Sequence, residues 1–227
     1  MPIFNRHKVV YIHVPKTGGS SLIRYFGECV TAWSPYAMIS HNDGRAMKHM
    51  GIAHSLQHCT YLELVQLGLI DKLVDKGGYR LIATFRDPFE RIISELIYSK
   101  MVVRKILESE NHSDAYHKLL AAFRTSQKQR REAPFSHDNH LRSQCEFLTD
   151  GETTPAQGLV LLRTGSLSQD MYRHGWKNFN VHMNVTVARK AAYERFRTGK
   201  LLQEIKEAYS DDFELQDRID SDCARWP

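Results

Sequence analysis

Val9-Val10-Tyr11-Ile12 is a short run of β-branched and aromatic residues that breaks at Pro15 into Lys16-Thr17-Gly18-Gly19-Ser20-Ser21. Leu22, Ile23 and Phe26 then recur at helical spacing. The apolar run predicts a buried strand and the periodic positions predict a helix. A strand, a glycine turn and a helix start, in that order, make an anion cradle. Backbone N–H groups and the positive end of the helix dipole point toward the same place. Lys16 adds a mobile positive charge. The chain is thereby constrained toward an α/β fold that handles phosphate-like groups.

The cradle departs from the nucleoside-triphosphate pattern, in which lysine follows the glycines and a hydroxyl for magnesium stands beside it. Here Lys16 precedes Gly18 and Gly19, and position 13 is histidine where that pattern has glycine. A second strand-to-helix corner follows the same logic. Tyr79 to Phe85 reads as a buried strand, and Arg86-Asp87-Pro88 ends it. Proline suits the first turn of a helix, where its missing N–H costs nothing. Phe89, Ile92, Ile93, Leu96 and Ile97 then mark one helical face, with Arg91 and Ser94 on another side. An arginine fork with a hydroxyl at a helix start makes a second anion site. The plainer reading of that corner alone is a salt-bridged helix start. Two such corners on one sheet fit a nucleotide with phosphates at both ends.

Pro-Lys-Thr-Gly-Gly-Ser-Ser resembles the 5′-phosphosulfate loop of sulfotransferases that use 3′-phosphoadenosine 5′-phosphosulfate (PAPS). The likeness is greatest to the family of heparan sulfate 2-O- and 6-O-sulfotransferases and their bacterial relatives. Arg86-Asp87-Pro88-x-x-Arg91-x-x-Ser94-Glu95 resembles the same family's 3′-phosphate motif. Gln57-His58-Cys59-Thr60-Tyr61-Leu62-Glu63-Leu64 is similar to a helix-starting segment that a general-base histidine opens. Weaker likenesses run through His140–Leu148, Val160–Arg163, Leu167–Asp170, Asn184–Thr186 and Tyr209–Phe213. The family's acidic residue near Thr164 or Gly165 is missing.

The resemblance implies one sulfotransferase domain over residues 1–227. Its fold would be a P-loop-like α/β sandwich with a central parallel sheet flanked by helices. It implies a PAPS-dependent O-sulfotransferase, with PAP as product and no metal. The acceptor would carry a hydroxyl, on a carbohydrate or a small alcohol. Lys16, Thr17, Gly18, Gly19, Ser20 and Ser21 would hold the 5′ end of the donor, and Arg86 and Ser94 the 3′-phosphate. Lys16 would also stabilise the leaving phosphate, and His58 would take the acceptor's proton. His54, then His41, stand behind His58 for that role, with Glu63 or Glu95 weaker candidates. Two other classes stay open on the residues alone: a P-loop kinase of related fold, and a non-catalytic nucleotide- or polyanion-binding module.

Bulk properties agree with a compact enzyme. The chain has 227 residues, a formal charge of +5 and twelve histidines. That length supports one α/β domain with a substantial core, and the charge attracts anions. No zinc-finger spacing or aromatic RNA-binding signature points to nucleic acid. His54 and His58 stand four apart, but no third metal ligand is recognisable. Four cysteines without C-x-x-C spacing read as reduced structural thiols. With no signal-peptide or membrane-span pattern, a cytoplasmic location is expected, and the Asn184-Val185-Thr186 sequon is disregarded.

Strands alternating with helices predict a parallel sheet, with ligands at the carboxyl ends of its strands. The first strand and helix are expected over residues 8–30, with irregular chain over 31–56. Thr60 to Val74 reads as one helix, and the helix opened by Pro88 as continuing toward Met101 and Leu107. An amphipathic stretch from Asn111 to Lys128 is followed by a basic surface loop (Lys128, Arg130, Arg131), a candidate rim for an acidic acceptor. A last helix is expected from Leu201 to Tyr209.

Overall fold

A computed structural model describes residues 2–27, 56–132, 139–151, 155–181 and 187–223 of the chain. The chain gathers into two compact units, Met1–Arg86 with Phe135–Met183 and Asp87–Pro134 with Asn184–Pro227. Each unit is built from two separate stretches of sequence.

The first unit carries a four-stranded sheet: β1 (Ile3–Phe4), β2 (Val9–Ile12), β3 (Arg80–Phe85) and β4 (Val160–Arg163), in the spatial order β1-β2-β3-β4. β1 is antiparallel to β2, whereas β2, β3 and β4 run parallel. Its helices are α1 (Gly19–Phe26), α2 (Tyr61–Gln66), α5 (Gln144–Leu148) and α6 (Leu167–Arg173). Every residue of β2 is buried, as parallel strands covered on both faces require. Phe4, Tyr11, Leu22, Phe26, Ile82 and Leu162 anchor the core of this unit. The expected α/β class, with a largely parallel sheet flanked by helices, is what the chain adopts. Ile12 pairs with Ala83 and Phe85 with Arg163. The residues that follow β2, β3 and β4 therefore leave from the same, carboxyl edge of the sheet.

The second unit is helical: α3 (Pro88–Tyr98), α4 (His112–Glu132), α7 (Val187–Glu194), α8 (Gly199–Ala208) and α9 (Ser210–Cys223). Phe89, Ile92, Leu96, Phe123, Phe196 and Ile205 form the centre of its core. Pro88 occupies the first turn of α3, and the Asp87 carboxylate caps it by accepting from the Glu90 N–H at 2.9 Å. Arg91 departs from expectation. It is wholly buried, and its Nη1 lies 3.9 Å from the equally buried carboxylate of Asp212.

Other local expectations are corrected. Thr60 to Val74 is not one helix: α2 ends at Gln66, Gly68 adopts φ 65°, and a wider-wound turn covers Ile70–Asp75. Glycine reaches that left-handed conformation cheaply and so breaks the apolar periodicity. α3 stops at Tyr98, Lys100 turns left-handed at φ 59°, and a short 3₁₀ segment spans Arg104–Glu108. The basic stretch is no loop, because α4 continues to Glu132. Arg130 there donates to the Ala208 carbonyl at 3.2 Å and lies over the Tyr209 ring. α9 was not expected, because its charge-rich sequence hides the periodicity of a helix. Residues 31–55, with His41 and His54, and the 184–186 sequon lie outside the described residues. Among the described residues, no helix is long and apolar enough to cross a membrane.

Candidate active site

The turn after β2 is set by hydroxyl groups. Thr17 is fully buried and its hydroxyl donates to the Val14 carbonyl at 2.8 Å. The same oxygen lies 2.5 Å from Thr84 Oγ1, which is 2.7 Å from the Tyr11 hydroxyl. Each hydroxyl has one proton, so donation runs from Tyr11 to Thr84 to Thr17 to the backbone. Burial pushes the Tyr11 phenol far above its usual range, which keeps it a donor. Thr164 Oγ1 stands 2.6 Å from the Thr17 carbonyl and 3.0 Å from that of Phe85, tying the turn to the end of β3.

The backbone of this turn is unusual. Lys16 has φ 66° and Gly18 has φ 94°, conformations that non-glycine side chains seldom adopt. Gly19 is required for a different reason. A Cβ at that position would collide with the His13 ring and come within 2.9 Å of the Tyr11 hydroxyl. With glycines there, α1 opens at Gly19 with Gly18 as its N-cap, and its first N–H groups have no carbonyl within the helix to pair with. Ser20 is exposed, whereas Ser21 is buried with its N–H on the Gly18 carbonyl at 3.0 Å. Lys16, Thr17, Gly18, Gly19, Ser20 and Ser21 are thus brought together in one turn.

Arg86 follows β3 directly in the same unit. Its N–H donates to Gln144 Oε1 at 2.9 Å, and Gln144 Nε2 donates to its carbonyl at 2.7 Å. One fully buried carboxamide therefore satisfies both polar groups of the Arg86 backbone. Its Nη1 reaches the Lys16 carbonyl at 3.3 Å, so the guanidinium stands beside the first turn. Ser94 belongs to α3 of the other unit, where it is half-buried.

His58 is buried, which surface or capping histidines are not. Its Nδ1–H donates to the His13 carbonyl at 2.9 Å, a bond that assigns the lone pair to Nε2. The His13 and His140 rings pack against it at centroid distances of 4.7 and 4.9 Å. Asn139, at φ 65°, donates from Nδ2 to the His58 carbonyl at 3.1 Å. Gln57 Nε2 donates to His13 Nδ1 at 3.1 Å. Burial first, then the His58, chain-terminal, His140 and Lys16 positive charges, hold the His13 imidazole well below its ordinary range. Two carboxylates lie farther from any such role. Glu63 caps α2 through Thr60, and Glu95 is buried in α3.

Gln144, Thr84, Thr164, Asn139 and the two flanking histidines were not anticipated as site residues. Each acts through hydrogen bonds or ring contacts to residues distant in sequence, for which single-chain patterns carry no sign.

A glycine turn and an arginine-proline corner, each following a strand of a mostly parallel sheet, define an α/β protein. A model of the sulfotransferase family matches residues 1–157, a span that includes both corners, His58 and Gln144. The chain belongs to the sulfotransferase family, whose chemistry is sulfuryl transfer. No curated protein and no solved structure matches it.

Proposed function

We propose that the chain is a PAPS-dependent O-sulfotransferase, working as one domain over residues 1–227 and taking a hydroxyl of a carbohydrate or small alcohol as acceptor. The residues present fit such a donor. Gly19 lets the start of α1 pack against the His13 ring more closely than a Cβ would allow, and Lys16 and Arg86 put two cationic residues beside that turn. When bound, the donor supplies an activated sulfuryl group.

Lys16 and the N–H groups of residues 17–20 stabilise negative charge developing on the 5′-phosphate, as preorganised donors do, while the Ser21 N–H is held by the Gly18 carbonyl. Arg86 and Ser94 hold the 3′-phosphate. Binding energy remote from the reacting atoms then orients them. His58 accepts the acceptor's hydroxyl proton at Nε2, because its Nδ1–H is committed to the His13 carbonyl. A buried imidazole whose Nδ1–H is held in a hydrogen bond leaves Nε2 as the atom for proton transfer. PAP leaves as product, and no metal takes part.

The observation that carries this reading is the meeting of the Lys16 turn with the Arg86 guanidinium at 3.3 Å, within the residues the family match covers. Transfer of labelled sulfate from PAPS to a panel of hydroxyl acceptors tests it. His58→Ala should lower kcat by about 10²–10⁴ and leave PAP affinity nearly unchanged. Unchanged turnover would remove His58 from the role of base. Folded protein without calorimetric affinity for PAP would overturn the donor. A requirement for ATP and magnesium would favour a kinase, and PAP binding without transfer to any acceptor a binding module.

A further inference from the structure

One short segment, residues 139–146, touches both halves of the site by independent bonds. We propose that it is a positioning brace for the transfer reaction: Gln144 sets Arg86 for the donor, and Asn139 with His140 sets His58 for the acceptor. The inference rests on the donor reading above.

Gln144 lies where β3 has run out of ladder partners. The backbone N–H and carbonyl of Arg86 are both bonded there by the Gln144 carboxamide, and buried peptide groups require partners. The carboxamide supplies one donor and one acceptor, at 2.7 and 2.9 Å, on the same residue. It extends the strand by one pairing step, and so fixes the direction in which the Arg86 side chain departs. No residue without both an N–H and a carbonyl oxygen at that reach can do the same.

Five residues earlier in the chain, Asn139 grips His58. Its Nδ2 holds the His58 carbonyl at 3.1 Å, while the His58 ring hangs from the His13 carbonyl at 2.9 Å. The backbone and ring of His58 are thus held at separate points, and the His140 ring closes edge-on against the imidazole. Left-handed φ at Asn139 is what turns the chain to bring its amide there. Asparagine tolerates that conformation better than most residues.

Arg142 joins the two grips. Its Nε donates to Glu146 Oε2 at 2.8 Å, and its Nη1 reaches Glu63 Oε1 at 3.3 Å. Both carboxylates close capping boxes, Glu146 on Ser143 at the start of α5 and Glu63 on Thr60 at the start of α2. Gln144 is the first residue of α5, and His58 lies two residues before Thr60. A single guanidinium therefore ties together the helix starts that carry the donor grip and the base. Arg142 is partly exposed, so its share is the weaker one.

A brace that positions differs from ordinary packing in having separable readouts. Gln144→Met should weaken calorimetric PAP affinity by about tenfold and raise the KM for PAPS, with kcat at saturating donor changed by less than threefold. Asn139→Gly, which keeps the left-handed backbone and removes the amide, should lower kcat about tenfold and leave PAP affinity within twofold. Circular dichroism and melting temperature check that each variant is folded. Should Gln144→Met not fold, Gln144→Glu keeps an acceptor for the Arg86 N–H and removes the donor to its carbonyl. It should weaken PAP about threefold. Unchanged PAP affinity in the folded Gln144 variant, or equal loss of both quantities in both variants, overturns the inference and leaves the donor reading intact. Absence of PAP binding in the unsubstituted protein removes both.

Discussion

The two strand-to-helix corners carry the same elements and are held by opposite means. The corner after β2 is stitched by neutral hydroxyls: Tyr11, Thr84 and Thr17 pass hydrogen bonds in series to the backbone, and Thr164 closes the far side. The corner after β3 is held by an amide on one side and charges on the other. Gln144 clamps Arg86, while the Asp87 carboxylate caps α3 and receives Arg197 Nη2 at 2.5 Å. On the proposed reading, a turn that presents N–H groups and a lysine to an anion gains from neutral supports, since a carboxylate there would compete for the same donors. The corner that begins a helix core can use charge, because its ion pairs face other protein groups.

If charge sustains the second corner's helix, its buried pair should be the most sensitive place in the molecule. Asp212→Ala removes a buried carboxylate 3.9 Å from the wholly buried Arg91, and should cost about 3–5 kcal/mol in urea denaturation. A loss under 1 kcal/mol would mean that α3 does not depend on the pair. The first corner should instead be sensitive to shape. Gly19→Ala drives a methyl into the His13 ring, and should cost about 1–3 kcal/mol together with most of the PAP affinity. Normal PAP binding by this variant would show that the turn has slack that the structure does not suggest.

Removing a charged support without burying its partner should matter less. Asp87→Ala takes away the cap of α3, worth about 0.5–2 kcal/mol, and melting temperature should fall accordingly. Arg197 keeps Glu194 at 3.1 Å, which limits the loss. The smallest effect is one of pH, and it belongs to the first corner. His13 is held well below its ordinary 6.5 in the fold, first by burial. The unfolded chain therefore binds the proton more readily. The stabilisation is complete above about pH 6.5 and is lost as pH falls below that value, by up to about 1.4 kcal/mol per pH unit. Melting curves at pH 7.5 and 5.5 should separate, and His13→Gln should bring them together. An equal separation in the variant would assign the dependence to other groups.

Much of this was legible beforehand for a definite reason. Val9–Ile12 and Tyr79–Phe85 announce strands by composition, and Pro15, Gly18, Gly19 and Pro88 punctuate the chain at the points where it turns. Those signals are local, and so both corners and the parallel sheet followed from them. The helix limits were less legible. Left-handed residues at Gly68 and Lys100 ended helices that the apolar periodicity would have continued. Arg91 falls on a different side from the apolar stripe by spacing alone, and its burial beside Asp212, far along the chain, has no local sign. Gln144 was visible as part of a resembling segment, but its partner is 58 residues away.

By itself the sequence determined the chemistry on offer: a lysine-glycine turn, an arginine-proline corner and a histidine at a helix start, since residue type and spacing fix what a short segment can present. Tertiary structure alone decided which of these groups are held, how they are oriented and what holds them. The Nδ1–H of His58 finds the His13 carbonyl, and the amide of Gln144 finds the backbone of Arg86, only once the strands have paired and their carboxyl ends have come to one edge. Hydrogen bonds act over about 3 Å, so a partner distant in sequence becomes a partner only when folding closes the gap.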